Sequence, residues 1–165
     1  MTIQEMRKLF AFNAWANNRV FETLQDLPES EYKRELKTSF GNLHGTMVHL
    51  VAAEKIWLSR LTGKPETALM TDHDTPTLES LKSAWEDIAA RMARLVARLD
   101  DGKLQEELRY VTTEGNEYKN TLQQILQHIV NHSSYHRGQI AGMLRQVGAR
   151  PANTDLIAFF RLTAP

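Results

Sequence analysis

The chain has 165 residues, 42% of them apolar and 24% charged, the size and composition of one globular unit with a single core. Twenty Lys plus Arg balance twenty Asp plus Glu, and the resulting zero net charge argues against a nucleic-acid binder working through a broad basic face. There is no cysteine, which excludes disulfides, thiolate metal sites and a cysteine nucleophile; any metal must sit on histidine or carboxylate ligands, and any thiol must come from outside.

The stretch Met1–Met6 is polar and has no signal-peptide core, and no apolar run approaches the roughly 18–20 residues that cross a bilayer. The expected address is the cytoplasm, with no membrane association. A first helix is predicted from about Thr2 to Leu27, with Leu9, Phe10, Trp15, Val20, Phe21 and Leu24 forming a broad apolar side and Pro28 stopping it. A polar connection, Glu29 to Lys37, follows. A second helix is expected from Ser39, as N-cap, to Leu61, ended by Gly63 and Pro65. It is apolar on most sides and so should be well buried. Residues 64 to 76 read as a loop, and Thr75-Pro76 as the cap and first-turn proline of a third helix.

That third helix carries the clearest pattern in the chain. Leu78, Leu81, Trp85, Ile88, Met92, Leu95 and Leu99 alternate spacings of three and four, a two-position heptad seam. Asp100-Asp101-Gly102 should end it. Residues 108 to 119 turn β-rich around Glu114-Gly115-Asn116, and a short hairpin or ordered loop is predicted there. Thr121 to Gln124 is a capping-box pattern that opens a fourth helix reaching about Val147, closed by Gly148 and Pro151. The tail, with Leu156, Ile157, Phe159 and Phe160, is too apolar to stay free and should pack on the rest. Four long amphipathic helices with unequal connections imply an all-α four-helix bundle, in one domain spanning residues 1–165. A helical domain that completes its core only as a dimer is the other arrangement compatible with the pattern.

Histidine carries the chemistry. The six are His44, His49, His73, His128, His132 and His136. Two side chains four residues apart sit on one face of a helix. Taking about 100° per residue with His132 at zero, the apolar arc of the fourth helix centres near about 70°. His136 then falls at about 40°, inside the arc; His132 is at its edge, and His128 lies at about −40°, outside it. His49 shares a stripe with Ala53 and Ile56 and should face inward. His44, five residues earlier, diverges from it by about 140° and cannot easily serve the same ion. His73 lies in a loop beside Asp72 and Asp74 and should be solvated. Three inward imidazoles can share one ion and leave it open positions, the usual composition of a catalytic metal site. The same spacing also suits core histidines hydrogen-bonded to backbone or side chains, and the residues alone leave both readings open. Proton competition for ligating imidazoles is expected as pH falls through about 6.

Several segments resemble the DinB/YfiT-like family of metal-dependent four-helix-bundle proteins. They are Phe12 to Asn17; His44-Gly45-Thr46 and His49 to Leu58; Arg109-Tyr110 with Glu114-Gly115; His128, Asn131-His132 and His136-Arg137-Gly138-Gln139; and Thr154 to Ile157. The resemblance covers essentially the whole chain, and the HRGQ element with a histidine four residues before it is its most specific part. It implies one metal ligand from the second helix and two from the fourth, which fall on His49, His132 and His136. It also implies divalent nickel or zinc, homodimers, and relatives that include thiol-dependent S-transferases and isomerases using low-molecular-weight thiols. The expected activity is therefore a metal-dependent hydrolase or thiol S-transferase acting on a small molecule. The alternative is a non-catalytic, stress-associated metal-binding interaction protein. Trp15 and Trp57 are read as core anchors and Arg137 as a structural or dimer-facing ion-pair residue. Asn131, Gln139 and Glu54 are read either as partners that orient a histidine or as solvated groups.

Overall fold

A computed structural model describes residues 1–163. Four long helices form the bundle: α1 (Ile3–Gln25), α3 (Leu43–Leu61), α4 (Leu78–Ala97) and α6 (Leu122–Gln146). Between and after them lie the short helices α2 (Glu29–Tyr32), α5 (Asp101–Leu104) and α7 (Leu156–Leu162), and the strands β1 (Glu107–Val111) and β2 (Glu117–Thr121). Helix α1 packs on α4 and α6, and α3 packs on the same two. Thus α1 and α3 sit on one diagonal, α4 and α6 on the other. Both the α1–α3 and the α4–α6 connections must cross the end of the bundle, which is why each is long enough to carry a small element of its own. The fold is the mainly helical bundle the sequence implies, with the hairpin in its expected place.

Local chemistry sets the ends. Thr2 Oγ1 accepts from Glu5 N at 3.3 Å and the Glu5 carboxylate accepts from Thr2 N at 2.7 Å, a capping box that starts α1. Thr121 and Gln124 repeat the arrangement at α6. Two starts differ from the sequence expectation. Helix α3 is capped by Asn42, whose Oδ1 accepts from Gly45 N at 2.8 Å; Ser39 is exposed in the preceding turn, where Gly41 takes a positive φ of 73°. Helix α4 is capped by Thr77, not Thr75. The Thr75 backbone is committed elsewhere: its carbonyl accepts from His44 Nε2 at 2.9 Å, and the residue is buried. Asp100 does not merely stop α4 but caps α5, accepting from Lys103 N at 2.8 Å.

The core follows the predicted faces. Met6, Phe21 and Leu24 of α1, Leu43, Met47, Leu50 and Leu58 of α3, and Ile125, Leu126 and Ile129 of α6 are essentially inaccessible to solvent. Along α4 the heptad seam holds from Leu78 to Met92 and then shifts, with Val96 buried in place of Leu95, which is half-buried. A straight helix has 3.6 residues per turn, so a 3.5-residue seam drifts round by about 20° per heptad, enough to move the inward position by one residue. In α7, Phe159 is buried against Phe12 and Trp15 at ring separations of 5.9 and 5.6 Å, whereas Ile157 and Phe160 are exposed. A helix of 7 residues has one narrow inward face, and the tail docks through that face alone. No helix among the described residues is long and apolar enough to cross a membrane.

The hairpin pairs Tyr110 with Tyr118 and Glu107 with Thr121 in antiparallel register, and Gly115 takes a positive φ of 87° in its turn. Strand β2 runs directly into α6, so the hairpin fixes where α6 begins and lays Tyr110 against Trp57 of α3, ring centroids 4.9 Å apart.

Candidate metal centre

Helices α3 and α6 are neighbours, and three imidazoles meet in the seam between them. His132 Nε2 lies 3.3 Å from His49 Nε2 and 3.1 Å from His136 Nε2. The His49 and His136 rings, centroids 4.6 Å apart, are nearly perpendicular, at 71°. His136 is buried, His49 and His132 half-buried. The three are grouped by their nitrogen atoms, without a carboxylate among them.

The surroundings fix which nitrogen faces the centre. Gln139, one helical turn after His136, accepts the His136 Nδ1–H at 2.8 Å. That hydrogen bond selects the tautomer whose Nε2 carries a lone pair aimed at the other two rings. Phe40 closes one side, stacked on His49 at 4.0 Å and 17° and edge-on to His136 at 5.6 Å. Phe40 reaches this place because its backbone lies hard against the first turn of α3. A Cβ on Gly45 would stand only 2.3 Å from the Phe40 carbonyl oxygen, so only glycine fits there.

Burial keeps these rings neutral. Loss of hydration pushes His49 and His132 down to about 4; nearby His136 adds to the effect on both, and His49 and His128 add to it on His132. Burial also lowers His136, opposed by the Gln139 hydrogen bond. Neutral imidazole is the form that ligates a metal. The spacing fits as well. Metal–nitrogen bonds of about 2.0–2.1 Å place two ligating nitrogens about 3.3 Å apart at a tetrahedral angle and about 2.9 Å apart at a right angle. The two observed separations lie within that interval. Without a cation, one Nε2–H on His132 makes a straight hydrogen bond to one neighbour only and leaves lone pairs facing one another, an arrangement that costs free energy in a buried site.

The other histidines do not join. His44 is buried and turned away, donating from Nε2 to the Thr75 carbonyl. His73 is exposed in its loop, and His128 is exposed with its ring edge against Trp57 at 5.5 Å. Helical register therefore sorted the α6 histidines as the structure does.

Comparison with known proteins gives the same picture at the level of the whole chain. The sequence model of the DinB family matches residues 1–165. The chain belongs to the DinB family. It is 30% identical over 161 residues to Protein DinB of Bacillus subtilis (strain 168), covering 94% of each chain. It is 26% identical over 153 residues to the uncharacterized protein YizA of the same organism, covering 92% of this chain and 94% of that one. A crystal structure of a DinB-like protein from Bacillus cereus ATCC 10987 superposes with a TM-score of 0.70 at 18% identity, over 92% of this chain and 97% of that one. At that identity the last likeness speaks for the fold alone.

Behind the imidazoles, this DinB-family chain carries a polar hub that joins three helices. Glu54 of α3 is fully buried, and its Oε1 accepts from Asn13 Nδ2 at 2.7 Å, Ser133 Oγ at 2.8 Å and Asn17 Nδ2 at 3.0 Å. Burial pushes this carboxyl up, while the three hydrogen bonds and nearby Arg137 pull it back. Arg137 donates to Asn13 Oδ1 at 2.8 Å, Asn17 Oδ1 at 2.7 Å and Ser134 Oγ at 2.7 Å, and lies over the Phe12 ring. It is a buried structural residue held by neutral acceptors, and not the ion-pair residue expected; burial pushes its guanidinium down to about 10, still charged at neutral pH. Of the three residues read as either orienting or solvated, Gln139 orients His136, Glu54 organises the hub next to Ser133, and Asn131 is exposed.

Sequence reasoning missed Phe40, Asn13, Asn17 and Ser133. A signal existed for the two asparagines. They stand four apart on the face of α1 that also carries Phe10, Val20 and Phe21, where an unpaired carboxamide is costly. Trp57, read as a core anchor, packs half-buried against the core and also touches Tyr110, His128 and Arg60.

Proposed function

We propose that this DinB-family protein binds one divalent metal ion through Nε2 of His49, His132 and His136, and that it is a metal-dependent enzyme of the hydrolase or thiol S-transferase kind. The convergence of three neutral imidazole nitrogens on one point carries the reading. Imidazole donors suit zinc and nickel, and with three protein ligands such an ion supplies Lewis acidity and lowers the pKa of a bound water or thiol. The chain's own part is to hold the nitrogens neutral and aimed, through Gln139 and Phe40, and to exclude water on the Phe40 side. With no cysteine in the sequence, any thiol in the reaction is an external low-molecular-weight one. Pairing into homodimers in the cytoplasm completes the proposal; exposed Ile157 and Phe160 on α7 are apolar surface suited to a second copy, and sedimentation velocity measures it.

One observation favours a second reading, a non-catalytic metal-binding protein linked to stress: no carboxylate joins the three imidazoles among the described residues, so no general base is built into the centre. Metal analysis of tag-free protein after reloading with zinc or nickel, followed by ester, amide and thiol-transfer substrate panels, separates the possibilities. One equivalent with turnover supports the enzyme. One equivalent without turnover supports the second reading. Less than about 0.2 equivalents sinks both.

A further inference from the structure

Arg60, in the last turn of α3, is a buried cation without an anionic partner among the described residues. It is 8% exposed, its Nε is inaccessible and makes no hydrogen bond, and it takes part in no ion pair among the described residues. Glu66, which follows α3 in the chain, pairs with Lys55 at 3.0 Å instead. The guanidinium carbon sits over two rings, 4.7 Å from the centroid of Trp57 and 5.4 Å from that of Tyr110. Cation–π attraction recovers part of the hydration the group has lost. It does not supply an acceptor for the inaccessible Nε–H, and a buried donor left unpaired is costly to hold.

The group faces a cavity of about 320 Å³ whose wall includes Trp57, Tyr110, Tyr118, Thr112 and Thr113. The hairpin builds one side of that wall and α3 the other. The composition is specific: one fixed cation, two threonines and the flat surfaces of one tryptophan and two tyrosines. A guanidinium is a planar fork of donors that matches the two oxygens of a carboxylate, and its neighbouring rings favour a flat apolar body. We propose that this cavity is a binding site for a small aromatic carboxylate, its two oxygens taken by Arg60 and its ring held against Trp57 and Tyr118. The site is separate from the three imidazoles and does not depend on a metal there.

The test is a titration of the full chain with benzoate, its neutral isostere benzamide, and inorganic phosphate, read by tryptophan fluorescence and by the Arg60 Nε–H resonance. Saturable benzoate binding that shifts the Arg60 signal is expected, with benzamide at least tenfold weaker and phosphate weaker than benzoate. Affinity should be the same in metal-stripped protein, in zinc-loaded protein and in His132→Ala. Arg60→Lys should weaken benzoate at least fivefold while keeping the positive charge, and Arg60→Gln should abolish binding. Equal affinity for benzoate and benzamide, an unmoved Arg60 resonance, or phosphate binding as tightly as benzoate would each overturn the assignment. So would benzoate binding that appears only with metal, since the carboxylate would then sit on the ion. If either variant fails to fold, the wild-type Arg60 resonance still decides. Failure to take up zinc or nickel would remove the metal reading and leave this one standing.

Discussion

Gln139 and His136 form a matched pair on one face of α6, the carboxamide oxygen 2.8 Å from the ring Nδ1 and the ring Nε2 3.1 Å from His132. One hydrogen bond thereby decides which end of the imidazole serves the centre. Gln139→Leu keeps the size and removes the acceptor. Metal affinity should fall about 10- to 100-fold, as for other partners that orient a ligand. Stoichiometry should stay at one ion. Competition titration against a chromophoric chelator measures it, and an unchanged affinity would mean that His136 needs no orienting.

Loss of the ligands themselves should be of another order. His49→Ala, His132→Ala and His136→Ala are each expected to remove most zinc or nickel binding. His128→Ala and His73→Ala, on exposed rings outside the cluster, should bind as the wild type does. Elemental analysis after dialysis reads the result. Binding lost in His128→Ala and kept in His132→Ala would move the proposed ligand face of α6 one turn along the helix and about 40° round it.

The pH dependence should be displaced from that of ordinary histidine. His49 and His132 sit near about 4 in the fold, against an ordinary value of 6.5 in the unfolded chain. Between those values the unfolded state holds more protons, so stability of the metal-free protein should rise with pH from about 4 to 6.5 and level off above. For the same reason proton competition with the metal should begin below pH 6, where a solvated imidazole would already have lost it. Denaturant unfolding at a series of pH values, with a His49→Ala/His132→Ala control, tests the first statement, since the control should flatten the slope. Metal release complete by pH 6 would contradict the second.

The buried hub predicts a stability effect of its own. Glu54→Ala strips the shared acceptor from Asn13, Asn17 and Ser133 and removes the carboxylate that favours the charge on Arg137. The cost should be on the order of 3 kcal/mol in denaturant unfolding. Glu54→Gln keeps an acceptor oxygen and should lose less. A Glu54→Ala protein as stable as the wild type would show the network to be dispensable.

Gly45→Ala tests how Phe40 is placed. The added methyl meets the Phe40 carbonyl, so the turn before α3 must shift. Stability should drop and the Phe40 ring should leave His49. Near-ultraviolet dichroism and metal affinity should change together. Asn42→Ala, which removes the cap and a long hydrogen bond to the Lys33 carbonyl but adds no clash with Phe40, should cost about 1 kcal/mol and spare the affinity.

Much of this was readable in the residues. The heptad seam from Leu78 to Met92 gave α4, Thr121 and Gln124 gave the start of α6, and register alone separated His132 and His136 from His128. What escaped depended on contacts between distant segments. Thr75 and Ser39 are as good caps as Thr77 and Asn42 by residue type; His44 and the Gly45–Phe40 contact decide between them, and neither is local to the pattern. Phe40 lies in a turn, where no periodicity points a side chain anywhere. Arg137 was read for its charge, but what places it is a pair of asparagines more than a hundred positions earlier in the chain.

The bundle's crossing order has a consequence for biogenesis. His49 and His132 are 83 positions apart, and α3 meets α6 only after α4, α5 and the hairpin have taken the chain across the bundle. A nascent or truncated chain ending before α6 presents only one of the three clustered imidazoles, and a chain with a mispaired hairpin starts α6 in the wrong place. The three nitrogens therefore meet only once α6 is in place, so uptake of an ion would act as a checkpoint that only molecules with a docked α6 pass.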